Sequence, residues 1–250
     1  MAFLTSCKSG EKAPQMSGTY LMESQTVNYN NKDKKYSDLK QLKIYTDHFM
    51  MYTQLNPSDS VSAFGVGSYT SDTSGVTENI IFSAHGSIMD TTHPSYTLNI
   101  TTTPDGYNQF IPEIKIAGQK SKLTEIYHKI GNDIKSPLDG VWKEVESYGI
   151  NGNDTSRYNR IQYKAFHQGY FMFGHLRTDS LSIRHTGIGF GTFEPAGENK
   201  INETDLNSSY PVIAGHTFVV EYELNGADNY KQTIHHSDGS TSVEFYERLK

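Results

Sequence analysis

The chain has 250 residues, with 28 Asp plus Glu against 22 Lys plus Arg and a formal net charge of −6. This acidic balance argues against a nucleic-acid partner, which would want a basic patch, and no run approaches the ~20 apolar residues that a spanning helix needs. The hydrophobic fraction is only 35%, yet 17 Tyr and 12 Phe supply large apolar area per residue, a balance that suits sheets with one wet face and one buried face.

Cys7 is the one cysteine in the chain. With Leu4-Thr5-Ser6 before it, the tetrad resembles the bacterial lipobox, where a small-residue site admits a signal peptidase and the thiol takes a lipid. Residues 1–16 are therefore read as a signal remnant, Met1-Ala2-Phe3-Leu4 before the motif, and a polar tether from Lys8 to Pro14. That reading implies a lipid anchor through Cys7 and a periplasmic or cell-surface position on a bacterial envelope. A single cysteine excludes a disulfide framework within the chain.

From Ser17 to Gly131 the sequence reads as short strands. Gly18-Thr19-Tyr20 opens the series, and Leu42-Lys43-Ile44, Phe49-Met50-Met51-Tyr52 and Gly65-Val66-Gly67-Ser68-Tyr69 follow. Thr97 to Thr101 alternates Leu98 and Ile100 against Thr97, Asn99 and Thr101; Tyr107 to Ile111 and Thr124 to Ile130 complete the half. Turn signals such as Pro57-Ser58-Asp59 and Pro104-Asp105-Gly106 separate the runs. The best helix candidates, Asn28 to Lys40 and Thr155 to Asn159, are polar and read better as loop or a single turn. Gly131 to Pro137 is a short polar linker containing a proline.

Past the linker the same series returns, offset by about 120 residues and in the same order. Gly140-Val141-Trp142 answers Gly18-Thr19-Tyr20, Tyr170 to Phe173 answers Phe49 to Tyr52, and Gly189 to Phe193 answers Gly65 to Tyr69. Tyr230 to Ile234 answers Tyr107 to Ile111, and Val243 to Leu249 answers Thr124 to Ile130. Thr217 to Leu224 alternates Phe218, Val220, Tyr222 and Leu224 against Thr217, Val219, Glu221 and Glu223. A repeat of this length is a duplicated domain, because solenoid and propeller units run about 20–50 residues. The prediction is an all-β protein of two matching domains, residues 17–131 and 138–250, each an antiparallel barrel or sandwich.

Gly140-Val141-Trp142 at the start of a first strand resembles the Gly-x-Trp opening of the lipocalins. The closing run Glu244 to Leu249 is similar to that of lipocalin-like lipoproteins of Bacteroides-type bacteria. The resemblance implies two tandem lipocalin-like antiparallel β-barrels, shorter than typical lipocalins. It also implies that Arg248 on the last strand packs over Trp142, a cation–π contact of roughly 0.5–2 kcal/mol. Tyr20 and Lys129 are the degraded equivalent in the first half, which lacks the tryptophan. These four residues close barrels and define no ligand.

An eight-stranded barrel either fills with side chains or holds one small ligand. Tyr163, Tyr170, Met172, Phe190, Phe218, Val220 and Tyr222 are expected to point inward, an aromatic set with polar tips and an adaptable Met that suits a small hydrophobic molecule. The first half offers the plainer Phe49, Val66, Leu98 and Thr102, so binding is assigned mainly to the second. Gly189 and Gly191 mark a bend in their strand. His235 and His236 alternate faces and cannot readily share an ion; the histidines, His167 and His175 among them, are read as exposed. Neither a metal site nor a cofactor is expected. No nucleophile elbow, phosphate loop or dinucleotide fingerprint occurs, and no catalytic residue is assigned. Glu125 and Glu244 share strand faces with Tyr127, Lys129, Tyr246 and Arg248, a set expected to form an exterior network.

Three functions follow. The first is an envelope lipoprotein that binds or carries a small hydrophobic ligand. The second is a double-barrel enzyme of the carotenoid-hydratase or cyclase type, whose mark would be a buried carboxylate facing inward among aromatics; the alternation places nearly every carboxylate outward. The third is a structural or protein-interaction module with filled barrels.

Overall fold

A computed structural model describes residues 13–116 and 118–250 of the chain. Cys7 and its flanking motif lie outside the described residues. No α-helix occurs among those residues. The first sheet comprises β1 (Gly18–Tyr29), β2 (Lys32–Tyr36), β3 (Lys40–Tyr45), β4 (Phe49–Asn56), β5 (Val61–Asp72), β6 (Gly75–His85), β7 (Ile88–Asp90), β8 (Ser95–Thr103), β9 (Gly106–Ile116) and β10 (Gln119–Lys129). The second comprises β11 (Gly140–Asn151), β12 (Asp154–Arg157), β13 (Arg160–His167), β14 (Tyr170–Thr178), β15 (Arg184–Pro195), β16 (Lys200–Ser208), β17 (Thr217–Asn225), β18 (Asn229–His235) and β19 (Thr241–Arg248).

Each sheet closes into an 8-stranded antiparallel barrel, through β10 on β1 and through β19 on β11. The polar segments considered for helix are hairpin arms instead. Asn30 and Asn31 both take left-handed φ, 49° and 60°, the geometry that a two-residue hairpin turn requires, and they fold β2 back onto β1. Asn151 and Asp154 pair across the corresponding turn between β11 and β12.

The duplication extends to the irregularities. The closing seam is bulged between Met22 and Ser24 in one barrel and between Glu144 and Glu146 in the other. A second bulge falls between Val66 and Gly67 on β5 and between Phe190 and Gly191 on β15. Any Cβ at Gly67 or Gly191 would run into backbone of the neighbouring strand. The glycines are therefore required by the bend.

Three apolar clusters organise the molecule. One fills the first barrel with Tyr20, Tyr45, Tyr107, Tyr127, Met22, Leu39 and Ile80. Another closes one end of the second barrel with Trp142, Phe166, Phe171, Phe193, Tyr230 and Tyr246. The third lies between the barrels: Leu42, Ile44, Met51, Phe64 and Val66 from the outer wall of the first pack on Val141, Tyr163, Ala165, Met172, Ile188 and Phe190 from the second. Phe64 sits against the bare backbone of Gly174, and Phe82 packs on Tyr163 with ring centroids 5.6 Å apart. Polar ties flank this layer, Ser62 Oγ donating to the Thr186 carbonyl at 2.6 Å and Thr19 Oγ1 to that of His167 at 3.0 Å.

The inter-barrel layer corrects part of the expected interior. Tyr163, Tyr170, Met172 and Phe190 belong to it and point away from the barrel axis. On β13 to β15 both faces are buried, so hydrophobicity does not mark the inside; the apolar face meets the other barrel, and Gln162, Lys164, Phe171, Phe173 and His175 point inward. Phe218, Val220 and Tyr222 do belong to the interior cluster.

Candidate functional site

Both barrel interiors carry the same polar ladder, built from alternate residues of equivalent strands. In the first, Lys43 Nζ lies 2.7 Å from Glu78 Oε1 and donates to Gln109 Oε1 at 3.2 Å. Gln109 Nε2 and the Tyr127 hydroxyl donate to Glu125 Oε2 at 2.7 and 2.8 Å, and Gln25 Nε2 to its other oxygen at 2.7 Å. In the second barrel Lys164 Nζ bonds Glu203 Oε1 at 2.6 Å and Gln232 Oε1 at 3.1 Å. Gln232 Nε2 and the Tyr246 hydroxyl donate to Glu244 Oε2 at 2.7 and 2.5 Å, and Gln162 Nε2 donates to the Tyr246 oxygen at 2.5 Å. Glu125 and Glu244 are thus interior residues, and the exterior network expected around them is corrected. Lys43, Gln109 and Tyr127 carry their donors inside the barrel, so hydrogen bonding offsets the cost of burying these carboxylates.

The barrels differ where this ladder ends. Met22 pairs with Tyr127 in register, as Glu144 pairs with Tyr246. Leu39 precedes the buried Gln41 by two residues, as Arg160 precedes Gln162. Ile80 faces Gly67 at the bulge, as Asp205 faces Gly191. Gln54 pairs with Gln41, as His175 pairs with Gln162. Met22, Leu39 and Ile80 close the first barrel with apolar bulk; Glu144, Arg160 and Asp205 replace them with ionisable groups in the second.

A cavity of about 580 Å³ opens there, within the ~300–1,000 Å³ range of small-molecule sites. Arg160, Lys164, His175, Asp205 and Glu244 line it together with the apolar Phe173, Phe218, Ile213 and Ile234. The exposed Arg157 and Arg177 and the loop residues Tyr210 and Val212 form its rim. Of the residues expected to bind a ligand, Phe218 lines the cavity, and Val220 and Tyr222 pack with the closed-end cluster.

Arg160 bridges two carboxylates, its Nη2 lying 2.6 Å from Glu144 Oε2 and 2.7 Å from Glu244 Oε1. Burial would lower the Arg160 pKa, but Glu244 and Glu144 outweigh it and hold the guanidinium charged. Burial likewise opposes ionisation of Glu244, and Arg160 and Lys164 overcome it, so that carboxyl titrates below its ordinary value. For Glu144 and Glu203 burial wins over the cationic partners and raises the pKa.

His175 is 6% exposed, not exposed as expected. Burial, then the Arg160 charge, push its pKa down to about 3, so the ring is neutral. Gln162 Oε1 accepts from Nδ1–H at 3.2 Å, which leaves Nε2 to accept the Tyr210 hydroxyl at 2.7 Å. Asp205 is 4% exposed and its Oδ1 has no hydrogen-bond partner. Burial, then the neighbouring Glu203, push its pKa up to about 7. Among the described residues no His, Cys, Asp and Glu group has metal-site geometry. The inward carboxylates remove the sequence-based objection to catalysis, although they assign no reaction.

At the closed end the Arg248 guanidinium lies 4.0 Å from the centre of the Trp142 ring and donates to the carbonyls of Asp139, Ala227 and Pro137. Trp142 Nε1 donates to the Leu138 carbonyl at 2.7 Å. In the first barrel Lys129 is the register partner of Tyr20, whose ring packs edge-on against Tyr107 at 4.8 Å.

The fold and site define a tandem double β-barrel protein with one barrel closed by apolar side chains and one holding a charged cavity. No protein-family model matches the chain, and no curated protein matches it in sequence. Among solved structures it is similar to a Transferrin Binding Protein B double mutant from Haemophilus parasuis Hp5, at 7% identity and TM-score 0.28, covering 95% of this chain and 77% of that one. It is also similar to the di-domain ARO/CYC StfQ of the steffimycin biosynthetic pathway, at 8% identity and TM-score 0.18, with the same coverage. Likenesses this distant carry no argument about function.

Proposed function

We propose that the second barrel binds one small molecule with an apolar body and a polar head, and that the first barrel is its scaffold. One observation carries this reading: the same interior ladder ends in Met22, Leu39 and Ile80 in one barrel and, in the other, in Glu144 with Arg160 and Asp205, of which Arg160 and Asp205 line open space. Burying ionisable groups costs several kcal/mol each unless they are well paired, so an apolar plug would be the more stable choice. Function explains why the second barrel keeps the charged one. The aromatic and aliphatic lining, with Phe218 and Phe173, suits the ligand's body, and the charged lining suits its head.

Native mass spectrometry after mild purification should show one small-molecule adduct per chain. Nile red should bind at one site, weakened about tenfold by Phe218→Ala, since Phe218 is partly buried and carries only part of the ~1.5–3 kcal/mol of a fully buried Phe. Absence of both adduct and dye binding would overturn the proposal.

We further propose an envelope lipoprotein anchored through Cys7, on the strength of the Leu4-Thr5-Ser6-Cys7 motif. Labelled palmitate should enter the full chain expressed behind a complete export signal, and Cys7→Ala should abolish incorporation. An unmodified thiol would overturn it.

A further inference from the structure

We infer that the molecule held by the second barrel carries a protonated amine, which docks against Asp205 at the floor of the cavity. This rests on the small-molecule reading above and specifies its chemistry. Inside the barrel Lys164 is matched to Glu203, and Arg160 is shared between Glu144 and Glu244. Asp205 is left over. Among the described residues it makes no ion pair within 4 Å, and its Oδ1 has no hydrogen-bond partner although the residue is 4% exposed.

A buried carboxylate in that state is either protonated or waiting for a cation. The rim arginines Arg157 and Arg177 stand in water and leave the buried excess of carboxylate uncompensated. Asp205 Oδ1 and the Phe173 ring pack side by side against the bare backbone of Gly189, where any side chain would clash with both, and both residues line the cavity. A carboxylate and an aromatic ring side by side on one cavity wall form a recognition pair for an ammonium group, the acid supplying charge and the ring its quadrupole. In the first barrel Ile80 occupies the place of Asp205, so that pair does not exist there.

Sharing the cavity wall with Asp205 are Glu203 from its own strand, Lys164 from β13, Phe173 and His175 from β14 and Gln232 from β18, and Gly189 of β15 lies against its Oδ1. Lys164 and His175 do not compete for it. Lys164 is held by Glu203 and Gln232, and His175 is occupied by Gln162 and Tyr210.

The test uses three probes of one shape, tryptamine, tryptophol and indole-3-propionate, titrated calorimetrically into the full chain at pH 8. The amine should bind at least tenfold more tightly than the alcohol, and the acid least. Asp205→Asn, which keeps the shape, should bring amine and alcohol to equal affinity while both still bind. Equal affinities in the unaltered protein, or an amine preference that survives Asp205→Asn, would overturn the inference. Nile red binding without any amine preference would overturn the amine and leave the small-molecule reading standing. Failure of Nile red as well, with no adduct in native mass spectra, would overturn both.

Discussion

Asp205 stands in the second barrel where Ile80 stands in the first, each opposite the bulged glycine of the preceding strand. One position thus holds a packed side chain in one copy and a buried, unpartnered acid in the other.

Stability should therefore depend on pH in the direction opposite to that of a salt-bridged acid. The native protein keeps the Asp205 proton up to about pH 7, whereas the unfolded chain releases it near 3.8. The native state binds the extra proton in that window, so stability contributed by this group falls as pH rises from about 4 to about 7. At ~1.4 kcal/mol per pH unit the loss is on the order of 3 kcal/mol. Asp205→Asn should melt higher than the unaltered protein at pH 8 and the same at pH 4. Thermal melts across this range check it; equal melting temperatures at pH 8 would contradict it.

Arg248→Ala should destabilise the second barrel by about 1–3 kcal/mol, through lost packing on Trp142 and lost bonds to three carbonyls. Trp142 is the one tryptophan in the chain, so its emission reports on that end alone. Arg248→Lys should recover only part of the loss, because an ammonium cannot span three carbonyls and a ring. Unchanged melting and emission in Arg248→Ala would contradict this.

The inter-barrel layer predicts that neither barrel is well behaved alone. Residues 138–250 would expose Tyr163, Met172, Ile188 and Phe190, a contiguous apolar surface that drives association. The isolated half should aggregate or dimerise and should become monomeric when mixed with residues 13–131. In the full chain Phe64→Ala should cost about 3–5 kcal/mol, since Phe64 is fully buried against Gly174. A soluble, monomeric 138–250 fragment would contradict the account of this layer.

Much of the architecture was legible from repetition: matched strand motifs at one offset gave two barrels, and Gly-x-Trp with a terminal Arg located one closed end. The interior is not legible in the same way on particular strands. Alternation on β13 and β14 shows which residues share a face, and it cannot say which face is inside when the outer one is covered by a second barrel. Hydrophobicity alone would point Met172 and Tyr163 inward, whereas Gln162 and Lys164 of β13 occupy the interior. A usable signal existed in the repeat itself, since Gln41-x-Lys43 recurs as Gln162-x-Lys164, Gln109 as Gln232, and Glu125 as Glu244. Polar residues retained at equivalent strand positions in both copies point to a shared buried network. Asp205 and Arg160 carried no such signal, because they are where the copies diverge.

Arg160→Met alone should be strongly destabilising, by about 3–5 kcal/mol, because it leaves Glu144 and Glu244 buried without their cation. Circular dichroism melts check this, and a loss below about 1 kcal/mol would show that the pair is solvated.

The central claim is that the charged end of the second barrel, and only that end, makes a ligand site of a filled scaffold. It is tested most directly by grafting the first barrel's plug onto the second: Glu144→Met, Ser147→Gln, Arg160→Leu and Asp205→Ile in one chain. Ser147→Gln restores to Glu244 the donor that Gln25 gives Glu125, so that no acid is stranded. The grafted protein should fold, melt at least as high as the original, and no longer bind Nile red, while the unaltered chain binds one dye per chain. Dye binding of unchanged affinity and stoichiometry in a folded graft would contradict the account.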